Sequence, residues 1–179
     1  MPNWTINNLT IQGQPADLAT IKGYFENAHP FQSILPCPQE LKDTHSYHPP
    51  SEKQLENKAK YGYESWYDWR IENWGTNWDI QEGEVTIEAC VAGELRIEFE
   101  TPWSPPLALL LHVSKRYPSC LFRLLFRQEE EMYEYVYLRV IQNGEVIKRT
   151  RTCNITLMMR IRNIASDLRW RIRHYLKSR

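Results

Sequence analysis

WYDWRIENWGTNWD, residues 66–79, carries four of the chain's seven tryptophans within fourteen residues. Asp68, Glu72 and Asp79 stand between them, and Gly75 marks a turn. Each covered tryptophan removes roughly 200 Å² from water, and its indole N–H then needs an acceptor. So dense a block is either the hub of a core or a recognition face. Trp69, Trp74, Trp78, Asp68 and Asp79 are the candidates for the hub. Trp66, Trp69 and Trp78, with Trp103 further on, are the candidates for a face that touches another protein. Steps of three and four link Tyr63, Trp66, Tyr67, Arg70, Ile71 and Trp74. That spacing predicts a helix over 61–74 with its aromatics on one face, ended at Gly75.

Downstream of this block the period changes to two. In 84–91, Val85, Ile87 and Ala89 alternate with Glu84, Thr86 and Glu88, and Ala92-Gly93 makes a turn. In 94–101, Leu95, Ile97 and Phe99 alternate with Glu94, Arg96, Glu98 and Glu100. This is a hairpin with one buried and one acidic face. TPWSPP, residues 101–106, then opens a nearly all-apolar helix for which Ser104 suits the N-cap. A strand comes next over 119–127. Two more, 132–141 and 145–151, flank Asn143-Gly144, the strongest short hairpin signal in the chain. Finally, Leu157, Ile161, Ile164, Leu168, Ile172 and Tyr175 form one stripe of a long C-terminal helix whose remaining surface is basic.

Upstream, 4–12 reads as a first strand with imperfect alternation at Ile6, Leu9 and Ile11. Pro15 opens a helix with Leu18, Ile21, Tyr24 and Phe25 on one stripe. Pro30, Pro36 and Pro38 break the next segment, in which Ile34 and Leu35 form a short strand or plug the core. Residues 42–60 are polar and read as a surface insertion with a turn or two of helix. The fold class is therefore α+β. It is a ferredoxin-like βαββαβ antiparallel sheet with helices on one face, extended by a C-terminal hairpin and a long basic helix. The domain spans 1–151 and the helix 152–179.

Several of these motifs resemble the YubB ferredoxin-like family. They are Pro2-Asn3-Trp4, Tyr67-Asp68-Trp69, the run Asn73-Trp74-Gly75-Thr76-Asn77-Trp78-Asp79, and Thr101-Pro102-Trp103-Ser104-Pro105-Pro106. They span about residues 1–127. The resemblance implies a ferredoxin-like domain encoded by phages, prophages or conjugative plasmids, and it implies no reaction. The basic helix lies beyond it.

The net charge of zero conceals a split. Residues 1–147 hold 12 Lys and Arg against 21 Asp and Glu, a net −9; residues 148–179 hold 10 Lys and Arg against Asp167 alone, a net +9. An acidic body with a basic tail either neutralises itself or offers each part to a partner of opposite sign. The N-terminus lacks a signal-peptide pattern, and the four cysteines show no CxxC, which together predict free thiols in a reducing cytoplasm; the family resemblance implies that of a bacterial host. No run of eighteen apolar residues predicts a membrane span. His45 and His48 lack a third ligand, so neither a metal nor a cofactor is expected.

Chemistry is sparse. A proline exposed by loss of Met1 could serve as a base, so Pro2 is one catalytic alternative. A carboxyl of Asp68, Glu72 or Asp79 buried among indoles is another. The leading expectation is a non-catalytic accessory protein of a mobile genetic element, monomer or homodimer, that binds a host or phage protein and blunts a defence system. Its contact candidates are Glu84, Glu88, Glu94, Glu98 and Glu100 with the tryptophans named above. The runner-up is nucleic-acid binding through Arg160, Arg162, Arg169, Arg171, Arg173 and Lys177 of the helix.

Overall fold

The computed structural model describes residues 3–44, 49–81, 83–91, 93–129 and 135–152. The C-terminal helix expected over 154–179, Pro2, His45 and His48 lie outside them. The strands are β1 (Trp4–Gln12), β2 (Thr86–Val91), β3 (Glu94–Pro102), β4 (Leu121–Gln128), β5 (Val136–Gln142) and β6 (Glu145–Thr152). The helices are α1 (Pro15–Phe25), α2 (Pro30–Ile34), α3 (Gln39–Lys42), α4 (Glu52–Tyr61), α5 (Trp66–Trp74) and α6 (Leu107–Arg116).

All five strand pairs are antiparallel, in the order β2-β3-β1-β4-β5-β6. The first four in that row are the ferredoxin-like sheet, with α1 to α5 in the first crossover and α6 in the second. The β5–β6 hairpin extends the β4 edge. Its turn uses positive φ at Asn143 and Gly144, as the Asn-Gly pair requires.

Period-two burial assigns one face of the sheet to the core. Leu9 pairs with Ile97 on one side and Leu124 on the other, and Ile11 with Leu95 and Phe122. These join Leu18, Ile21 and Phe25 of α1, Phe31 and Ile34 of α2, Trp69 and Trp74 of α5, and Leu109, Leu110 and Val113 of α6 in one cluster. The helices that bury these side chains therefore pack on that face. Ile6 falls on the opposite face, while Thr5 and Asn7 are buried on the core side. The Asn7 amide is accommodated there by donating to Thr5 O at 2.9 Å and Thr101 Oγ1 at 2.8 Å.

Four local expectations are corrected. The helix expected over 61–74 is two helices, because Gly62 takes φ +82 and ends α4; α5 begins only after Ser65. Residues 31–34 form a helical turn rather than a strand, and Ile34 plugs the core. The insertion 42–60 holds a helix of ten residues, α4, started by a reciprocal capping box between Ser51 and Gln54. In β2 a bulge at Glu88 shifts the register. Ile87 pairs with Ile97, Glu88 is passed over, and the register resumes with Ala89 opposite Arg96 and Cys90 opposite Leu95, so the strict alternation expected over 84–91 is broken.

Candidate functional site

Residues 73–79 tie together α2, α5, the end of β3 and the segment before α6. Trp74 is wholly buried, and its Nε1 donates to Leu35 O at 2.9 Å. Its ring meets Phe31 and Trp69 edge-on at 5.8 and 5.9 Å, and the Arg70 guanidinium lies over it at 4.8 Å. Arg70 also covers Trp66 at 4.9 Å and donates to Asn77 O at 3.3 Å. Gly75 has φ +87, and its carbonyl accepts from Ser104 Oγ at 2.5 Å. Thr76 Oγ1 donates to Pro102 O at 3.0 Å, tying the segment to the end of β3. Asp79 accepts from the backbone N–H groups of Phe31 and Gln32, both at 2.8 Å, and so supplies α2 with the cap its own sequence lacks. Burial pushes the Asp79 carboxyl up, against the pull of those two donors and of the Ile80 N–H.

The close approach at Gly75 carries a prediction. A Cβ there would stand 3.0 Å from Leu107 N and 3.1 Å from Pro105 O, both backbone atoms at the start of α6. Left-handed φ adds its own penalty for alanine. Gly75→Ala is expected to lose about 2–3 kcal/mol, read as a lower denaturant midpoint at unchanged slope.

Trp78 and Trp103 stand apart from this anchoring. Their rings touch at 5.3 Å centroid separation, tilted 56°, yet they remain 38% and 45% exposed. Trp103 is held at φ +60, rare for a bulky residue, between Trp103 N donating to Asn3 O at 2.7 Å and Gln128 Nε2 donating to Trp103 O at 3.1 Å. The two indoles are thus displayed on a rigid base at the end of the sheet where Trp4 pairs with Pro102.

The other predicted contact residues separate. Trp69 is buried and belongs to the hub; Trp66 is half-buried against Arg70. Glu94, Glu98 and Glu100 share the face of β3 turned away from the core. There Gln12 and Arg96 hold the Glu94 carboxyl below the usual carboxylate range. Glu84 precedes β2, and Glu88 is exposed at its bulge. The acidity of this face is local, because across β1 the register brings Arg123 and Arg127 of β4 onto the same side.

The carboxylates expected among the indoles are not brought together there. Asp68 and Glu72 are exposed, since α5 turns Trp66, Trp69 and Trp74 inward and leaves Tyr67, Asp68, Ile71 and Glu72 outside. Asp68 accepts from Ser65 Oγ at 2.8 Å, and Glu72 lines a shallow groove of about 180 Å³ beside Asn73, His112 and Lys115. Small-molecule sites usually enclose about 300 Å³ or more. Of the three acids only Asp79 is hub, and its oxygens are occupied by backbone donors.

Sequence reasoning missed a second cluster. Phe126 of β4 and Tyr137 of β5 stack at 5.2 Å and 15°. Arg139 lies 5.4 Å from the Phe126 ring, and Arg151 lies 3.6 Å from that of Tyr135. Alternate positions in 135–151 hold Tyr135, Tyr137 and Arg139, then Arg149 and Arg151, a pattern visible in the sequence once the two strands are paired. The described thiols Cys37 and Cys120 are buried and free, and burial pushes both up. Among the described residues no helix is long and apolar enough to cross a membrane, and no cluster of His, Cys, Asp and Glu could hold a metal ion.

No curated protein matches the sequence. The crystal structure of protein Api92 from Yersinia pseudotuberculosis is similar, with a TM-score of 0.57 over 86% of this chain and 99% of that one, at 11% identity. At such identity the likeness is one of fold. By sequence, residues 73–151, from the tryptophan segment to the end of the terminal hairpin, match the model of the ferredoxin-like domain in Api92-like protein.

Proposed function

We propose that the chain is a non-catalytic accessory protein that binds a host or phage protein through Trp78 and Trp103. The single observation that carries this is the exposed, mutually packed indole pair on a strained but well-anchored backbone. Tryptophan dominates the energetics of protein contacts, and paired exposed indoles gain most when a partner covers them. Non-glycine residues at positive φ cluster at binding sites, where strain is retained for display. Glu98 and Glu100 on the neighbouring stretch of β3 favour a partner with a basic contact surface. The resemblance of the motifs in 1–127 to the YubB family supports a setting on a mobile element in the bacterial cytoplasm. An inhibitor of a nucleic-acid-handling defence enzyme fits both that setting and the charge.

The test is capture from host lysate at low salt. The full chain is expected to retain a partner that Trp78→Ala/Trp103→Ala loses at least tenfold. Equal recovery by both proteins would end the proposal.

A second reading is favoured by the stacked Phe126–Tyr137 pair with Arg139, Arg149 and Arg151 around it. Aromatic faces beside guanidinium groups suit single-stranded nucleic acid. On this reading Arg149→Ala/Arg151→Ala weakens a single-strand gel shift and lowers its salt dependence.

A further inference from the structure

Trp103 is the middle residue of a three-residue γ-turn, closed by Ser104 N donating to Pro102 O at 2.8 Å. With φ +60 at its centre, this is the rare and strained form of that turn. Such a conformation persists only where its surroundings over-determine it. Here the surroundings are two hydroxyls and an amide on the buried side of the turn. Thr101 Oγ1 donates to Ser104 O at 2.8 Å, and the same hydroxyl accepts from Asn7 Nδ2 at 2.8 Å. Thr76 Oγ1 donates to Pro102 O at 3.0 Å. Asn7, Thr76 and Thr101 are all wholly buried.

The relay from Asn7 to Ser104 has a direction. A hydroxyl carries one hydrogen, and that of Thr101 is committed to Ser104 O, so toward Asn7 it can only accept. Asn7 must therefore present its amide nitrogen to Thr101. The second hydrogen of that nitrogen goes to Thr5 O at 2.9 Å. Asn7 Oδ1 is left buried with no partner among the described residues. Buried polar atoms are normally paired, so an unpaired one asks for a reason. An apolar side chain at this position would continue the core side of β1 set by Leu9 and Ile11. It would not orient the Thr101 hydroxyl.

We propose that Asn7, Thr76 and Thr101 are positioning residues for the exposed indole pair. Asn7 orients the Thr101 hydroxyl, and Thr101 holds the far side of the γ-turn. Thr76 ties the segment that carries Trp78 to the turn that carries Trp103. Rings fixed in this way meet a partner without first having to be ordered, which favours binding. The inference rests on the contact role proposed above for Trp78 and Trp103.

The experiment uses the full chain with fluorotryptophan in place of its seven tryptophans. Fluorine NMR reads one resonance from each, assigned by replacing the tryptophans with Phe in turn. Thr101→Val keeps the shape of the side chain and removes the hydroxyl. It is expected to shift or broaden the resonances of Trp78 and Trp103 and to leave those of the buried Trp69 and Trp74 in place. Thr101→Ser restores the hydroxyl and should return both resonances to their parental positions. Thr76→Val should displace the same two, and it decides by the same criteria if Thr101→Val does not fold. Unmoved resonances of Trp78 and Trp103, equal movement of all four, or no return in Thr101→Ser would overturn the proposal. No partner takes part in this measurement. A chain that shows the expected pattern yet captures no partner from lysate would end the contact reading alone.

Discussion

Trp74→Ala is expected to lower the thermal midpoint by about 10–20 °C. Truncating a buried tryptophan typically costs about 3–5 kcal/mol through lost transfer energy and the cavity left behind. Here two further losses add to that range. The Leu35 carbonyl loses its indole donor at 2.9 Å, and the Arg70 guanidinium loses one of the two rings it lies between. A partly buried cation left with one face uncovered is poorly compensated. A chain of this length shifts its midpoint by about 2–4 °C per kcal/mol, which sets the expected range. Differential scanning calorimetry on the purified variant makes the measurement. Trp74→Phe keeps much of the volume but not the N–H, so it should recover about half of the loss.

Asp79→Ala is expected to cost somewhat less, at about 3–4 kcal/mol or roughly 8–15 °C. Its two oxygens accept three backbone N–H groups, from Phe31, Gln32 and Ile80, each at 2.8 Å. Removing the carboxylate orphans donors at the start of α2, and α2 brings Phe31 into edge-on contact with both Trp74 and Phe99. The loss therefore spreads into the core rather than staying at the surface. The pH dependence has a definite sign. Burial raises the folded-state pKa of Asp79 above its unfolded value. The stability this group contributes is then fully present below the unfolded pKa and declines as pH rises through the folded one. Asp79→Asn removes the titration but keeps an acceptor oxygen. Its deficit relative to the parent chain should therefore be larger near pH 3 than near pH 7. A deficit that grows with pH would mean that the three donors outweigh burial.

The ferredoxin-like plan is legible because its strands announce themselves by period. Residues 94–101 alternate cleanly, and all three apolar members face the core. The Asn143-Gly144 turn stands out for the same reason of local chemistry. The features that escape such a reading are set by contacts between distant parts of the chain. Ser104 reads as a helix cap, but α6 begins after Pro106, and the Ser104 hydroxyl donates instead to Gly75. Gly62 lies inside a run of helix-spaced aromatics, which hides its left-handed conformation, and the same spacing puts Asp68 and Glu72 on the wrong side. The bulge in β2 leaves no trace in an alternating pattern. The Trp78–Trp103 contact joins residues on either side of a hairpin, so neighbouring sequence offers no sign of it. The tryptophan block reads as either hub or face. It is divided instead, with Trp69 and Trp74 inward and Trp78 outward.

The most direct measurement of that division is the thermal midpoint of Trp74→Ala beside those of Trp78→Ala and Trp103→Ala. If the buried indole holds the sheet to its helices and the exposed pair is displayed for a partner, each of the latter two should fall by no more than about a third of the Trp74 loss. A fall in Trp78→Ala equal to that in Trp74→Ala would make the exposed pair part of the scaffold and contradict the assignment of a contact surface.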